Sequence, residues 1–242
     1  MEKINPIGDI YKKDNTAETY YDVVGKNLEN KEYREADELF NNLIPKSLDN
    51  KIVLDLGCGN GIYAEMLCER GAKKVVAVDL NEKMLKKAQE RKDEKNLDQL
   101  DLVLADMDNL PVDRNKFDFI FSRFSLVHTS NLEQVMKDLS ETLVIGGEIL
   151  IGTNVAVIKD SENNSDIRRK AIPIIISING NEVALEDFSY TLEDYLESFD
   201  GARLTVTVNE QFPADDVLID PNFPKKDIIK FNYGIFKLRK ES

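Results

Sequence analysis

The sequence predicts a single α/β domain, a mostly parallel sheet with helices on both faces. Three observations predict it. Short Ile/Val/Leu runs alternate with amphipathic stretches from position 52 onward. Those runs are almost continuously apolar, as strands buried on both faces must be. A glycine cluster, Gly57-Cys58-Gly59-Asn60-Gly61, follows the first run directly and precedes a helical pattern.

Taken in order, residues 20–43 read as helical, with Leu39, Phe40 and Leu43 forming an apolar stripe able to pack over a ligand. Strand patterns at 52–56, 75–79, 102–105, 117–122 and 148–151 are separated by helical patterns at 62–70, 82–91 and 131–144. Gly71 stands where a helix would end, Ser130 with Glu133 has the form of a capping box, and Gly146-Gly147 punctuates the turn into the fifth strand. Beyond Ile151 the alternation changes. Residues 153–190 form a long connection in which Ile174-Ile175-Ile176 and 181–185 flank Asn179-Gly180, the signature of a hairpin. Thr191 with Asp194 resembles another helix start, a helix follows at 192–199, and strands at 203–208 and 233–238 bracket a Pro-rich loop at 213–224.

Composition sets limits on function. A chain of 242 residues with 42% hydrophobic and 32% charged residues can bury a core without disulfide or metal. No apolar run approaches the roughly 20 residues that span a bilayer. The start, Met1-Glu2-Lys3-Ile4-Asn5-Pro6, lacks the apolar core of a secretory signal, so a cytoplasmic location is expected. Cys58 and Cys68 make no metal-ligand or redox spacing, and both are expected reduced. A formal charge of −13 disfavours extended contact with nucleic acid, whose phosphates are held by clustered Lys and Arg, and leaves a small molecule as the expected partner.

The glycine cluster lets the backbone turn sharply and approach a ligand closely. A dinucleotide fingerprint would need glycine at position 62, where the chain has Ile62. Charge points away from a pyrophosphate too, because Asp55 ends the first strand and a carboxylate there suits an ammonium group. At the end of the second strand Asp79 can accept from both hydroxyls of a ribose, with Leu80 beside it to cover a ring. Asp106 and Met107, after the third strand, offer an acceptor and an apolar side chain to adenine, although Asp106 can equally cap a turn.

These segments together resemble the class I S-adenosylmethionine-dependent methyltransferases, in particular the ubiquinone- and menaquinone-biosynthesis type and many small-molecule methyltransferases. Residues 53–61 are similar to that family's first motif, Val76-Ala77-Val78-Asp79-Leu80 to its second-strand acid, 104–111 to its adenine segment, and 117–122 and 143–150 to its fourth and fifth strands. The resemblance covers residues 49–153. It implies a Rossmann-like methyltransferase fold, a seven-stranded sheet in the order 3-2-1-4-5-7-6 with the last strand antiparallel. It also implies S-adenosylmethionine bound at the C-terminal strand ends and S-adenosylhomocysteine as product. The expected cofactor contacts are Tyr20, Asp55, Gly57, Cys58, Gly59, Asn60, Gly61, Asp79, Leu80, Asp106, Met107 and Ser122, with Tyr11 or Tyr21 as alternatives to Tyr20 and Cys58 acting only through its backbone. The domain map that follows is one domain over 1–242: a helical cap at 1–48, a cofactor-binding core at 49–152, a substrate-side insertion at 153–190, and a C-terminal helix and strands at 191–242.

The acceptor side is left more open. His128, the only histidine, follows the fourth strand and either serves as general base or anchors its loop. Arg123 and the cluster Arg168-Arg169-Lys170 either meet an anionic substrate or are solvated. Residues 174–178 either line an apolar pocket or pair into a sheet of their own. No metal is expected, since the fourth strand leads into Ser122-Arg123 rather than into acidic ligands. The expected activity is methyl transfer to oxygen, nitrogen or carbon of a small acceptor. A cofactor-binding sensor without transferase activity, or a tRNA or protein methyltransferase, are the alternatives.

Overall fold

The computed structural model describes residues 31–111, 113–158, 168–178, 181–214, 217–219 and 229–241. Tyr11, Tyr20 and Tyr21, Asn179-Gly180 and parts of the Pro-rich segment lie outside the described residues.

The elements run α1 (Lys31–Leu43), β1 (Ile52–Leu56), α2 (Ile62–Glu69), β2 (Lys74–Asp79), α3 (Glu82–Lys95), β3 (Leu100–Leu104), β4 (Phe117–Arg123), α4 (Leu132–Thr142), β5 (Leu143–Ile158), β6 (Ala171–Ile178), β7 (Asn181–Phe188), α5 (Leu192–Gly201), β8 (Leu204–Pro213), β9 (Val217–Ile219) and β10 (Ile229–Lys240). Single 3-10 turns sit at Met107–Asn109 and Leu126–His128. Seven strands form one sheet in the order β3-β2-β1-β4-β5-β10-β8. With β8 and β10 as sixth and seventh, this is the expected order, and β10 is antiparallel to both neighbours while the other pairings among β1 to β5 are parallel.

Strand alternation divides the core. Leu54, Leu56, Ile120, Ile149 and Ile151 face α4 and α5, where Val135, Met136, Leu139, Tyr195 and Phe199 pack against them. Val53, Val75, Phe119, Phe121 and Leu150 face the other way, onto Phe40 of α1, Leu67 of α2 and Leu85 of α3. By the same alternation Asp55 points toward α2 and Ser122 toward the opposite face.

Local signals hold with three exceptions. Gly71 does follow the end of α2, and Thr191 with Asp194 makes a reciprocal capping box at α5. At α4, however, the cap is Asn131, whose side chain accepts from the Gln134 N–H, and not Ser130. Thr129 fixes this arrangement by accepting from the Asn131 N–H at 3.0 Å, and Glu133 is drawn to Arg169 instead of back to the helix start. β5 begins five residues earlier than expected and continues to Ile158, with the Gly146 region absorbed as an irregularity where its pairing with β4 jumps from Phe117↔Leu143 to Phe119↔Glu148. β5 thus runs past residue 153. β6 and β7 pair antiparallel from Ala171↔Phe188 to Ile178↔Asn181, the register a hairpin across Asn179-Gly180 demands. The Pro-rich stretch contains β9, which joins them in a separate sheet, β7-β6-β9. The run at 174–178 is thus paired in a sheet of its own.

Candidate active site

The first turn of the site is built by the close approach of two strands. The Gly57 and Cys58 N–H groups both donate to the Val78 carbonyl of β2, at 2.8 and 3.0 Å, so the chain leaving β1 is bent across the end of β2. Gly57 has φ +74°, and a Cβ there would overlap the Ser125 side chain. Ser125 in turn donates to the Leu56 carbonyl at 2.9 Å and shares a 2.6 Å hydrogen bond with Ser122. Gly57→Ala is therefore expected to cost about 2–5 kcal/mol, combining left-handed strain with overlap. Urea denaturation measures it. Ser125→Gly in the same chain should recover the overlap part, whereas Ser125→Ala, which keeps the offending Cβ, should not.

Asp79 closes the loop from the other side. Its Oδ2 accepts the Gly59 N–H and its Oδ1 the Asn81 N–H, each at 2.8 Å, leaving the carboxylate at the mouth between β1 and β2. Asn60 accepts from the Ile62 N–H at 3.3 Å, and its carbonyl receives Arg91 of α3. Gly61 starts α2 with no side-chain cap.

Asp55 lies beneath this loop, 2% exposed. The Ala64 N–H favours the ionised form of its carboxylate, yet among the described residues its buried Oδ2 has no hydrogen-bond partner. Burial, reinforced by the charge of Asp79, pushes its pKa up to about 8. Burial likewise raises Asp79, against the backbone N–H groups that lower it. Cys58 is buried and its thiol is pushed far up, which suits packing and not nucleophilic chemistry. Leu80 and Met107 are half-buried along the same edge. Asp106 caps the 3-10 turn by accepting the Asp108 N–H at 3.0 Å, so the turn role is realised through one oxygen. Ser122 is fully buried with its hydroxyl on Ser125, and it supports the wall.

The basic candidates find protein anions. Arg123 forms an ion pair with Asp37 of α1, and its guanidinium carbon lies 5.1 to 6.0 Å from the rings of Phe40, Tyr63, Phe124 and Tyr233. Arg168 and Arg169 converge on Asp194 and Glu197, with Glu193 and Glu133 alongside. Of the two readings open for this cluster, an anionic substrate or a solvated face, neither describes these two side chains fully: they tie residues 168–169 to α4 and α5. Sequence reading missed Ser125, Asn154 and Asp187. A serine two residues past a strand carries no signal, and Asp187 reaches His128 only because β7 folds back over the end of β5.

Among the described residues, no helix is long and apolar enough to cross a membrane, and no group of three or more His, Cys, Asp or Glu side chains is gathered as for a metal. Residues 53–147 match the family model of a methyltransferase domain. Over 110 residues the chain is 34% identical to the biotin biosynthesis bifunctional protein BioHC of Cellvibrio japonicus, a match covering 46% of this chain and 21% of that protein. Over 99 residues it is 32% identical to the sarcosine/dimethylglycine N-methyltransferase of Halorhodospira halochloris, covering 40% of this chain and 36% of the relative. The chain thus spans well under two thirds of the length of these curated relatives. Among solved structures, a putative sarcosine dimethylglycine methyltransferase from Galdieria sulphuraria shares the fold with a TM-score of 0.69, at 16% identity over 94% of this chain and 99% of that one.

Proposed function

Because the chain belongs to the class I S-adenosylmethionine-dependent methyltransferases, we propose that it binds S-adenosylmethionine across the C-terminal ends of β1, β2 and β3 and transfers its methyl group to oxygen, nitrogen or carbon of a small acceptor. The observation that carries this reading is the buried Oδ2 of Asp55, which has no hydrogen-bond partner among the described residues, beneath a glycine loop. The charge of Asp79 lies near enough to raise Asp55, and a ligand that relieves the pair is one that brings a positive charge and hydroxyl donors.

The residues fit that ligand in parts. Asp55 lies where an ammonium can be held, directly or through water. The first turn of α2, which follows the loop, suits a carboxylate. Asp79 suits the ribose hydroxyls, Leu80 and Met107 the faces of adenine, and the remaining oxygen of Asp106 its amino group. Ser122 contributes through Ser125 by holding the loop, and Tyr20, outside the described residues, is a further proposed contact. When bound, the cofactor supplies a methyl carbon already activated by its sulfonium, whose carbon–sulfur bond breaks with both electrons going to sulfur as the acceptor's lone pair bonds to that carbon. The protein's task is then to orient the two partners and exclude water.

Calorimetry in buffers of different ionisation enthalpy tests the binding. Asp55 is protonated in the empty site near pH 7, and a cationic ligand favours its ionised form, so S-adenosylhomocysteine should bind with release of on the order of one proton. Failure to bind, or binding of a dinucleotide in its place, overturns the reading. Labelled S-adenosylmethionine with phenols, amines, quinone precursors and cell extract tests the transfer. Tight binding with no labelled product would leave a sensor and remove the enzyme.

A further inference from the structure

β7 brings one acidic side chain against His128. Asp187, the penultimate residue of β7, is 2% exposed, and its Oδ1 lies 3.4 Å from Nδ1 of His128, which keeps 18% of its side chain exposed. Asp187 Oδ2 accepts from Nδ2 of Asn154 at 3.2 Å, and among the described residues Oδ1 has no hydrogen-bond partner. Asn154 is held in turn: its carbonyl accepts from the Tyr195 hydroxyl, which also bonds Thr153 at 2.9 Å. The carboxylate therefore sits behind the imidazole on a rigid support from β5 and α5, while the ring edge reaches outward at the end of β4.

We propose that Asp187 is a positioning residue that holds the proton of His128 on Nδ1 and leaves Nε2 as the base for an acceptor that must lose a proton, a hydroxyl or an amine. This rests on the methyl-transfer reading. As the acceptor's lone pair bonds to the methyl carbon, its O–H or N–H proton passes to Nε2, and Asp187 stabilises the imidazolium that results. Burial raises Asp187 to about 7, and the Asn154 amide works against that by favouring its ionised form. Burial drives His128 down to about 3, so the ring is in its proton-accepting form near neutral pH. A 3.4 Å separation is long for a hydrogen bond, as such pairs commonly are before a ligand closes the site.

A second arrangement competes. The Phe124 backbone carbonyl is also within reach of the ring, and a proton on Nε2 directed there, with a protonated Asp187 donating to Nδ1, makes His128 an anchor. The two differ in which nitrogen carries the proton. Since the chain has one histidine, long-range 1H–15N correlation on histidine-labelled protein reads it without assignment. The result expected is a proton on Nδ1 in the wild type at pH 7.

Asp187→Asn sharpens the test. The Asn154 amide requires an acceptor, so the carboxamide introduced by this substitution must turn its carbonyl there and its NH2 against Nδ1, which moves the imidazole proton to Nε2. Chemical-shift dispersion elsewhere should stay native. A wild-type proton on Nε2, or an unchanged tautomer in the folded variant, overturns the proposal. Calorimetry with S-adenosylhomocysteine runs in parallel: its failure removes the methyl-transfer reading and leaves the tautomer result standing by itself.

Discussion

Asp55→Asn is expected to stabilise the ligand-free protein while removing most of its affinity for S-adenosylhomocysteine. The reason is linkage. An aspartate at about pKa 8 in the native state and near 3.8 when unfolded holds a proton in the fold that the unfolded chain has released. That costs on the order of 4 kcal/mol at pH 7, and the cost grows as pH rises from about 4 to about 8. Asparagine cannot ionise in either state and keeps an acceptor for the Ala64 N–H. The variant should therefore gain on the order of 2–4 kcal/mol at pH 7 in urea denaturation. Between pH 5 and 8 its stability should also fall less steeply, by up to about 1.4 kcal/mol per unit. Asp187, raised to about 7, has the same sign and persists in the variant, whereas His128 acts oppositely and only below its unfolded value of about 6.5. A destabilised variant at pH 7, or one with native affinity, would contradict the assignment of Asp55 as the residue that pairs with the cofactor's positive end.

Asp79→Ala should weaken cofactor binding by at least about 100-fold, close to 3 kcal/mol. Two losses combine: the acceptor for the ribose hydroxyls, and the carboxylate that receives the Gly59 and Asn81 N–H groups and shapes the loop. Asp79→Asn keeps one acceptor and loses the charge, so it should fall between. Removal of Asp79 also takes away one of the two causes that raise Asp55, and the proton released on binding should shrink with it. Unchanged affinity in a folded Asp79→Ala protein would sink the ribose assignment.

The half of the site that comes from strand ends was legible in the sequence. Asp55, Gly57 to Gly61 and Asp79 sit at fixed offsets from buried apolar runs, and parallel strands bring such offsets to one edge whatever else the chain does. Residues placed by long-range folding were not legible. Arg123 looks like a free cation in sequence because nothing near it hints at Asp37 or at four aromatic rings drawn from α1, α2, the end of β4 and β10. Asp187 lies in an ordinary alternating strand, and its meaning depends on a second sheet whose third member, β9, has three residues. The cap of α4 shows the finer limit: Ser130 and Asn131 are both good caps, and the Thr129 hydroxyl decided between them.

The placement of β10 bears on how the molecule is made. Among the described residues, β8 pairs in the large sheet only with β10, and the outer edge of β5 pairs only with β10. As the chain leaves the ribosome, five strands and the loop that would grip the cofactor are available to assemble before either contact can form. Until the final strand arrives, the long apolar edge of β5 stands open to strand addition from neighbouring chains. Insertion of β10 between β5 and β8 closes both pairings at once.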